Sequence, residues 1–288
     1  NRPLFNRAIG GMYPPGSIFK IVTATGGLQD GIMTGETRIK CEGKIVIEDQ
    51  YDPFVKYTFP CWVKEGHGWQ TGVDALANSC DVFFYHIGGG FENFTGLGIN
   101  RLHKYMGDFG LGKETGIDLP GEAAGLTPNN QWKLRQPWNT RGEPWLTGDT
   151  YNLSIGQGYL LTTPLQMANV VAAVANGGVI YRPQLVYQVV DADGKIVRAL
   201  NKDAVGRVSW SARNLELLRE GMRAGSRELL AGSVTQTSQL MTKSLKISPG
   251  QSKDEVLSIL GAPVNRQFQG KDEAWQWCST GMSTDDFL

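Results

Sequence analysis

Ser17 and Lys20 are the two residues whose types and spacing point most directly to chemistry. They lie three positions apart, and positions i and i+3 of a helix share one face, so the lysine amine can reach the serine oxygen. A buried lysine loses its charge readily, and a neutral amine beside a hydroxyl can take its proton and leave a nucleophile. The pair therefore predicts a serine nucleophile with a lysine base.

The residues on either side indicate how this pair is held. Tyr13–Gly16 (YPPG) fixes the backbone before the serine, and Ile21–Leu28 is a run of apolar and small residues. A helix of that composition is buried on most sides, so residues 17–29 are predicted to form a buried helix that desolvates the lysine. Taken alone, Ser-x-x-Lys arises by chance roughly once in a chain of this length, and the alternative is a helix-capping serine with an exposed lysine.

Composition limits the class of protein. The chain has 288 residues, a formal net charge of +0 and 41% hydrophobic residues, which suffices for one large domain or two smaller ones. No basic cluster appears, so nucleic acid is not an expected partner. No apolar run reaches membrane-spanning length. A first segment Asn1–Pro3 without initiator methionine or signal peptide predicts a start inside a longer protein.

Turn residues and apolar periodicity predict an α+β chain, with helices packed on an antiparallel sheet. Gly110 and Gly177 end two of the predicted helices, and Pro164 begins the second of these. The predicted elements are strands within residues 35–60, helices at 73–78 (continued by 82–85), 101–109, 163–174 and 214–222, and a hairpin around 191–194.

A second polar group follows at Ser79-Cys80-Asp81. Its hydroxyl can relay a proton to a leaving amine beside the first pair, and its carboxylate can hold the lysine or a substrate amide. Ser-x-Asp is common by itself, and the alternative is a helix cap.

Six stretches match one family in order and spacing, over residues 1 to about 225. They are Tyr13–Lys20, Ser79–Tyr85, Thr115–Glu122, Gly148–Tyr159, Thr162–Ala168 and Asn176–Gly178. Together they resemble the transpeptidase domain of class B penicillin-binding proteins, most of all the elongation-type penicillin-binding protein 2.

The resemblance implies the penicillin-binding/β-lactamase-like transpeptidase fold and a peptidoglycan D,D-transpeptidase that forms a serine acyl-enzyme with stem peptides and β-lactams. It implies that Ser17 is the nucleophile, that Lys20 is its base, and that Ser79 and Asp81 form the second motif, with no catalytic cofactor. It also implies a periplasmic enzyme whose intact form has a membrane anchor and partners in the elongation machinery.

The family's third motif, Lys-Ser/Thr-Gly on a central strand, has no counterpart in the sequence. Lys113–Gly116 (KETG) has an extra residue in the wrong place, and Lys243–Leu245 (KSL) has no glycine. The strand would supply one oxyanion donor beside the Ser17 backbone N–H, and loss of such a donor costs about 10²–10³ in rate. We therefore predict weak or absent catalysis. The alternatives are a non-catalytic scaffold of the same fold and a class D-type β-lactamase or sensor, which also uses Ser-x-x-Lys.

Three cysteines and one histidine form a candidate zinc site, because three thiolates and an imidazole suit tetrahedral zinc. They are Cys41, Cys61, His67 and Cys80, with the spacing C-x19-C-x5-H-x12-C. Some elongation-type penicillin-binding proteins hold zinc beside the active serine, and His67 and Cys80 match those ligand positions. Such an ion would be structural. The competing interpretation is a Cys41–Cys61 disulfide, with Cys80 a small core residue.

The end of the chain predicts a separate module. Residues 226–244 are rich in Ser, Thr and Gln, which is typical of a linker. Residues 254–260 predict a short helix, and alternation over 268–278 predicts a strand with Trp275 and Trp277 on one face. Residues 245–288 resemble a small α+β outer-membrane lipoprotein module of the BamE/SmpA type, and the alternative is a generic helix–turn–strand unit. The predicted domains are 1–225 and 245–288, both partial, joined by 226–244.

Overall fold

The computed structural model of the protein describes residues 4–49, 52, 54–186, 188–199, 201–233, 265–269 and 272–276. The chain divides into two compact units, residues 1–225 and residues 226–288. Within the described residues, no helix combines the length and the apolar character that crossing a membrane requires.

Helical residues outnumber strand residues in the described part of the first unit. In chain order they are α1 (Arg7–Gly10), a 3₁₀ helix (Gly16–Phe19), α2 (Lys20–Gln29), α3 (Gly72–Ala77), α4 (Asp81–Gly89), α5 (Gly98–Asp108), α6 (Asn130–Leu134), α7 (Thr147–Ser154), α8 (Pro164–Asn176) and α9 (Ala212–Ser233). The strands are β1 (Ile39–Cys41), β2 (Lys44–Glu48), β3 (Lys56–Pro60), β4 (Gly68–Gln70), β5 (Val179–Tyr181), β6 (Gln188–Val190), β7 (Ile196–Ala199), β8 (Ala204–Arg207), β9 (Asn265–Gln269) and β10 (Asp272–Gln276).

The helix α2 runs through the core of the first unit. Every residue from Lys20 to Leu28 is buried. The helix packs against α4 and α5, and Val22 shares one core cluster with Phe83 of α4 and Leu102 of α5. The predicted helix over residues 17–29 is confirmed, with a tighter 3₁₀ turn at its start, and its predicted burial is confirmed for residues 19–28, whereas Ser17, Ile18 and Gln29 are exposed.

Each ladder among the described strands is antiparallel and contains two strands. The pairs are β1 with β4, β2 with β3, β5 with β8, β6 with β7, and β9 with β10. The α+β class is confirmed, but the described residues contain no wider central sheet, and the sequence has no Lys-Ser/Thr-Gly strand to occupy its middle. The β1–β4 register sets Cys41 opposite Gly68, which brings that cysteine beside His67.

The second polar group lies in a turn between two helices. The helix α3 starts with a capping box of Thr71 and Asp74 and ends at Ala77, whereas α4 starts at Asp81. Ser79 between them has φ +51°. A left-handed residue cannot continue a right-handed helix, so the prediction that residues 82–85 extend the 73–78 helix is wrong.

Helix ends elsewhere follow their caps. Thr163 accepts a hydrogen bond from the Gln166 N–H at the start of α8, and Gly177 ends that helix with φ +86°. The predicted hairpin is also confirmed, by the β6–β7 ladder. The helix α9 runs to Ser233, eight residues into the predicted linker, because the segment 227–230 (RELL) consists of strong helix formers.

The second unit contributes the β9–β10 ladder, in which Gln269 pairs with Asp272. The prediction of a single strand over residues 268–278 is therefore wrong. The sequence has a glycine at position 270, a residue type that weakens a continuous strand. The predicted helix at 254–260, together with Trp277, lies outside the described residues.

Candidate active site

Ser17 and Lys20 are held at the junction of the 3₁₀ helix and α2. The serine is exposed, whereas the lysine is 1% exposed, and its Nζ lies 3.1 Å from Ser17 Oγ. The ring of Phe84 lies 5.8 Å from the same amine. The alternative of an exposed lysine after a capping serine is therefore wrong, because the surrounding core encloses the amine.

The turn that contains Gly156 supports the backbone before the nucleophile. The Gly16 N–H donates to the Gly156 carbonyl at 2.9 Å. Gly156 has φ +76°, and a Cβ there would lie 2.1 Å from the Gly16 oxygen, so no other residue allows this approach. A bridge between Tyr13 and Thr162 pairs the same two segments. Two of the family stretches thus support the segment that carries Ser17.

Lys20 contacts every other member of the candidate site. Its Nζ donates to Ser79 O at 2.8 Å, to Ser79 Oγ at 2.9 Å and to Asp81 Oδ1 at 2.6 Å, in addition to Ser17 Oγ. An ammonium has only three donors, fewer than these four acceptors. A neutral amine has two N–H donors and one lone pair, so it can accept the Ser17 hydroxyl proton while donating to two of the other three oxygens.

Ser79 contacts Ser17 across 62 positions of sequence. Its hydroxyl donates a hydrogen bond to Ser17 Oγ at 2.8 Å. Its left-handed backbone costs about 1–3 kcal/mol in a residue other than glycine, and such strain concentrates at functional sites. Neighbouring bonds hold the turn: the Cys80 N–H donates to Ala75 O, and the Asn78 amide donates to Gln70 Oε1, both at 2.9 Å. The result is that both oxygens of Ser79 face Lys20.

Asp81 is the first residue of α4, where the helix dipole stabilises negative charge. Its Oδ1 contacts Lys20, and its Oδ2 accepts the Trp62 backbone N–H at 3.2 Å. Of the two roles that the sequence left open, holding the lysine or holding a substrate amide, the structure contains the contact with the lysine. A carboxylate there stabilises the ammonium that forms when Lys20 takes a proton.

The four candidate zinc ligands lie together. The Sγ atoms of Cys41 and Cys61 are 3.6 Å and 3.5 Å from His67 Nδ1, and the donor atoms of all four residues, with Cys80, lie within 4.8 Å of one another. Tetrahedral zinc with Zn–S of ~2.3 Å and Zn–N of ~2.05 Å needs an S···N separation of about 3.6 Å. The three cysteines are free thiols, so the Cys41–Cys61 disulfide is not formed.

Separate segments bring these donors together. Cys41 ends β1, Cys61 follows β3, His67 precedes β4, and Cys80 precedes α4. Gly66 has φ +83°, and a Cβ there would lie 2.1 Å from the Cys41 oxygen. Because only glycine fits this approach, the loop 61–67 can lie against Cys41 only with glycine at position 66.

The buried thiols alter one another's ionisation. A hydrogen bond from the Cys80 thiol lowers the pKa of Cys61 to about 4, and the same bond, together with burial, raises the pKa of Cys80. Thiolate is the form that binds metal. His67 Nε2 is buried and, among the described residues, has no hydrogen-bond partner. The other ring nitrogen of His67, Nδ1, is the one that faces the sulfur atoms of Cys41 and Cys61.

Sequence reasoning missed one residue that contacts the site, Trp62, and one buried ion pair outside it, that of Lys133. Lys133 is 1% exposed and contacts Asp149 and Glu143, each at 2.7 Å, which ties its segment to the first turn of α7. It lies in a polar stretch, so no pattern marks it as buried. The only hint for Trp62 is that it follows the candidate ligand Cys61.

Comparison with known proteins identifies the family. A family described as the penicillin binding protein transpeptidase domain matches residues 1–244. The chain belongs to this family. The match continues beyond the predicted boundary at residue 225 and beyond the end of α9.

Similar proteins carry the same assignment. The peptidoglycan D,D-transpeptidases MrdA of Acinetobacter baumannii and Escherichia coli are 40% and 36% identical, over 62% and 68% of this chain but 24% and 29% of their own length. The chain thus spans about a quarter of these relatives. Pseudomonas aeruginosa PBP2, in complex with WCK 5153, is 33% identical with a TM-score of 0.63, covering 81% of this chain and 48% of that one.

Helicobacter pylori PBP2, in complex with MreC, is 28% identical with a TM-score of 0.61, covering 83% of this chain and 39% of that one. The predicted resemblance to penicillin-binding protein 2 and the predicted transpeptidase fold are both confirmed.

Proposed function

We propose that this chain is part of a peptidoglycan D,D-transpeptidase in which Ser17 forms an acyl-enzyme with stem peptides and β-lactams. One observation carries the proposal: Ser17, Lys20, Ser79 and Asp81 form a single hydrogen-bonded set, with distances of 2.6 to 3.1 Å. The names of the similar proteins support it.

The proposed acylation uses each member of the set once. The resting Lys20 ammonium first gives its proton to solvent, and the neutral amine then takes the Ser17 hydroxyl proton as Oγ forms a bond to the carbonyl carbon of the substrate amide. Asp81 stabilises the resulting lysine ammonium. Ser79, which contacts both Ser17 and Lys20, passes that proton from the Lys20 ammonium to the amine as the C–N bond breaks. A second amine then attacks the ester, and its proton returns through Lys20 to Ser17 Oγ as the ester C–O bond breaks, which yields the cross-linked peptide and restores Ser17.

One oxyanion donor is in place and the other has no counterpart in the sequence. Ser17 lies in the first turn of the 3₁₀ helix, whose N–H groups lack intrahelical acceptors. Without the third motif, we expect this chain to acylate about 10²–10³ more slowly than an intact relative. The lack of the third motif also favours a second candidate function, that of a non-catalytic scaffold with the same fold.

A fluorescent penicillin tests the proposal. We expect slow, stable labelling at Ser17 that is absent from Ser17→Ala and unchanged in Ser209→Ala, a control at another exposed serine. Rapid release of the label would instead indicate a β-lactamase or sensor. No label after prolonged incubation at saturating penicillin would indicate a scaffold.

We further propose that Cys41, Cys61, His67 and Cys80 hold a structural zinc ion, supported by the donor set and the S···N separations. The ion would join the loop 61–67 to the second motif and supply no chemistry to acylation. Elemental analysis should find about one zinc per chain, lost in Cys41→Ser and retained in the control Cys278→Ser. A metal-free protein with Cys41 crosslinked to Cys61 would overturn this proposal.

We also propose that the intact protein works on the periplasmic face of the inner membrane with elongation partners. Support comes from similar structures, in which Helicobacter pylori PBP2 is bound to MreC and another neighbour belongs to a peptidoglycan synthase complex. Co-purification of the intact protein with a periplasmic partner is the expected result, and its absence under crosslinking would contradict this proposal.

For the second unit, a BamE/SmpA-like module at residues 245–288 remains our proposal, supported by the β9–β10 ladder and the sequence pattern. Backbone NMR of the full chain should show a helix at 254–260. Extended chemical shifts there would overturn it.

A further inference from the structure

Trp62 makes two hydrogen bonds that reach the residues on both sides of Ser79. Its indole Nε1–H donates to Asn78 O at 3.0 Å, and its backbone N–H donates to Asp81 Oδ2 at 3.2 Å. Its ring meets His67 edge-on, with 5.4 Å between centroids. These contacts fix the orientation of a side chain that is 64% exposed, and the acylation steps above do not use them.

We infer that Trp62 is a positioning residue that holds the Ser79 turn in its active geometry. The Asn78 carbonyl belongs to the peptide unit that precedes Ser79, so fixing this carbonyl restricts the Ser79 φ angle. That angle is +51°, a conformation that costs about 1–3 kcal/mol and persists only where neighbours enforce it. The Ser79 N–H itself makes only a long bond, 3.4 Å to Leu76 O, so the Trp62 bond adds to the restraint from the Cys80 and Asn78 bonds described above.

The second bond from Trp62 orients the carboxylate of Asp81. Because Oδ2 accepts the Trp62 N–H, Oδ1 is directed at Lys20 Nζ, 2.6 Å away. Trp62 therefore restrains both Ser79 and Asp81, the two residues of the second motif that contact Lys20. The importance of Trp62 for catalysis rests on the proposed function, whereas its effect on the Ser79 turn does not.

Hydrogen exchange tests the effect on the turn. Trp62→Phe keeps an aromatic ring and the backbone N–H but removes the indole donor. We expect amides of residues 78–82 to exchange about fivefold faster, which corresponds to the loss of one hydrogen bond. Trp69→Phe is the matched control, since Trp69 is 65% exposed and the structure gives its indole no bond to this turn; it should leave the same amides unchanged.

Acylation by fluorescent penicillin tests the effect on catalysis. In Trp62→Phe we expect the rate constant at saturating penicillin to fall about tenfold, with the half-saturating concentration unchanged, because misplaced groups lose rate rather than binding. A wild-type chain that takes no label would refute the proposed function, and the exchange measurement would still decide the role of Trp62.

Unchanged exchange at residues 78–82 in folded Trp62→Phe overturns the inference. If Trp62→Phe does not fold, Trp62→Tyr takes its place in the same measurement. If neither variant folds, Trp62 supports the whole unit rather than this turn, and the inference is likewise overturned.

Discussion

Replacing Lys20 with methionine tests the ion pair at the centre of the site. Lys20 Nζ and Asp81 Oδ1 are 2.6 Å apart, and their side chains are 2% and 15% exposed. At an effective dielectric constant of about 20 their attraction is about 6 kcal/mol, much of which offsets the cost of removing both ions from water. Methionine keeps an unbranched chain among apolar neighbours such as Phe84 but leaves the carboxylate without a cation.

We expect Lys20→Met to lower the free energy of unfolding by about 3 kcal/mol, the low end of the range for an orphaned buried charge. The low end applies because Asp81 keeps the Trp62 N–H and some access to water. Asp81→Asn removes the orphaned charge, so it should cost at least about 1 kcal/mol less in the Lys20→Met background than in the wild type.

Urea unfolding of the four proteins, followed by circular dichroism, supplies the free energies for this double-mutant cycle. Fluorescent penicillin should label none of the variants that lack Lys20. A coupling energy within about 0.5 kcal/mol of zero would refute the reasoning, because residues that do not interact give additive effects of that accuracy.

Three further predictions concern stability and metal binding. Lys133→Met should lower the free energy of unfolding by about 3 kcal/mol, because it orphans Asp149 inside the fold; a loss below about 1 kcal/mol in urea unfolding would contradict this. Burial lowers the pKa of His86, so the unfolded chain takes up this proton first and stability should fall as pH drops below about 6.5, by at most about 1.4 kcal/mol per pH unit. His86→Phe should reduce that slope, and an unchanged slope would count against the assignment. Gly66→Ala places a Cβ 2.1 Å from the Cys41 oxygen and should abolish metal retention measured by elemental analysis; full zinc content would refute it.

Local pattern predicted the elements that carry the site. The run after Lys20 is apolar on all sides, and it forms the buried helix α2. The Thr163–Pro164 start and the Gly177 end mark α8, because capping and left-handed glycine are properties of a few adjacent residues. Prediction failed where overall composition was followed instead: residues 226–244 are rich in Ser, Thr and Gln, which is typical of a linker, but α9 continues into them because residues 227–230 are strong helix formers.

The turn at Ser79 could not be predicted in the same way. Its residues suit a helix as well as a cap, and the left-handed angle is enforced by the bond that Trp62 donates to the Asn78 carbonyl and the bond that the Asn78 amide donates to Gln70. Such bonds depend on how β3, β4 and α4 pack together, which no periodicity of sequence records.

By itself, the sequence determined that Ser17 and Lys20 face each other, because three residues make about one helical turn, and the order of its motifs determined the family. Only the tertiary structure decided that Ser79 meets this pair and that Asp81 faces the lysine. Packing of α2 against α4 brings these groups together across 59 to 62 positions of sequence. Contacts of that range depend on the buried surfaces of whole elements rather than on any adjacent residues.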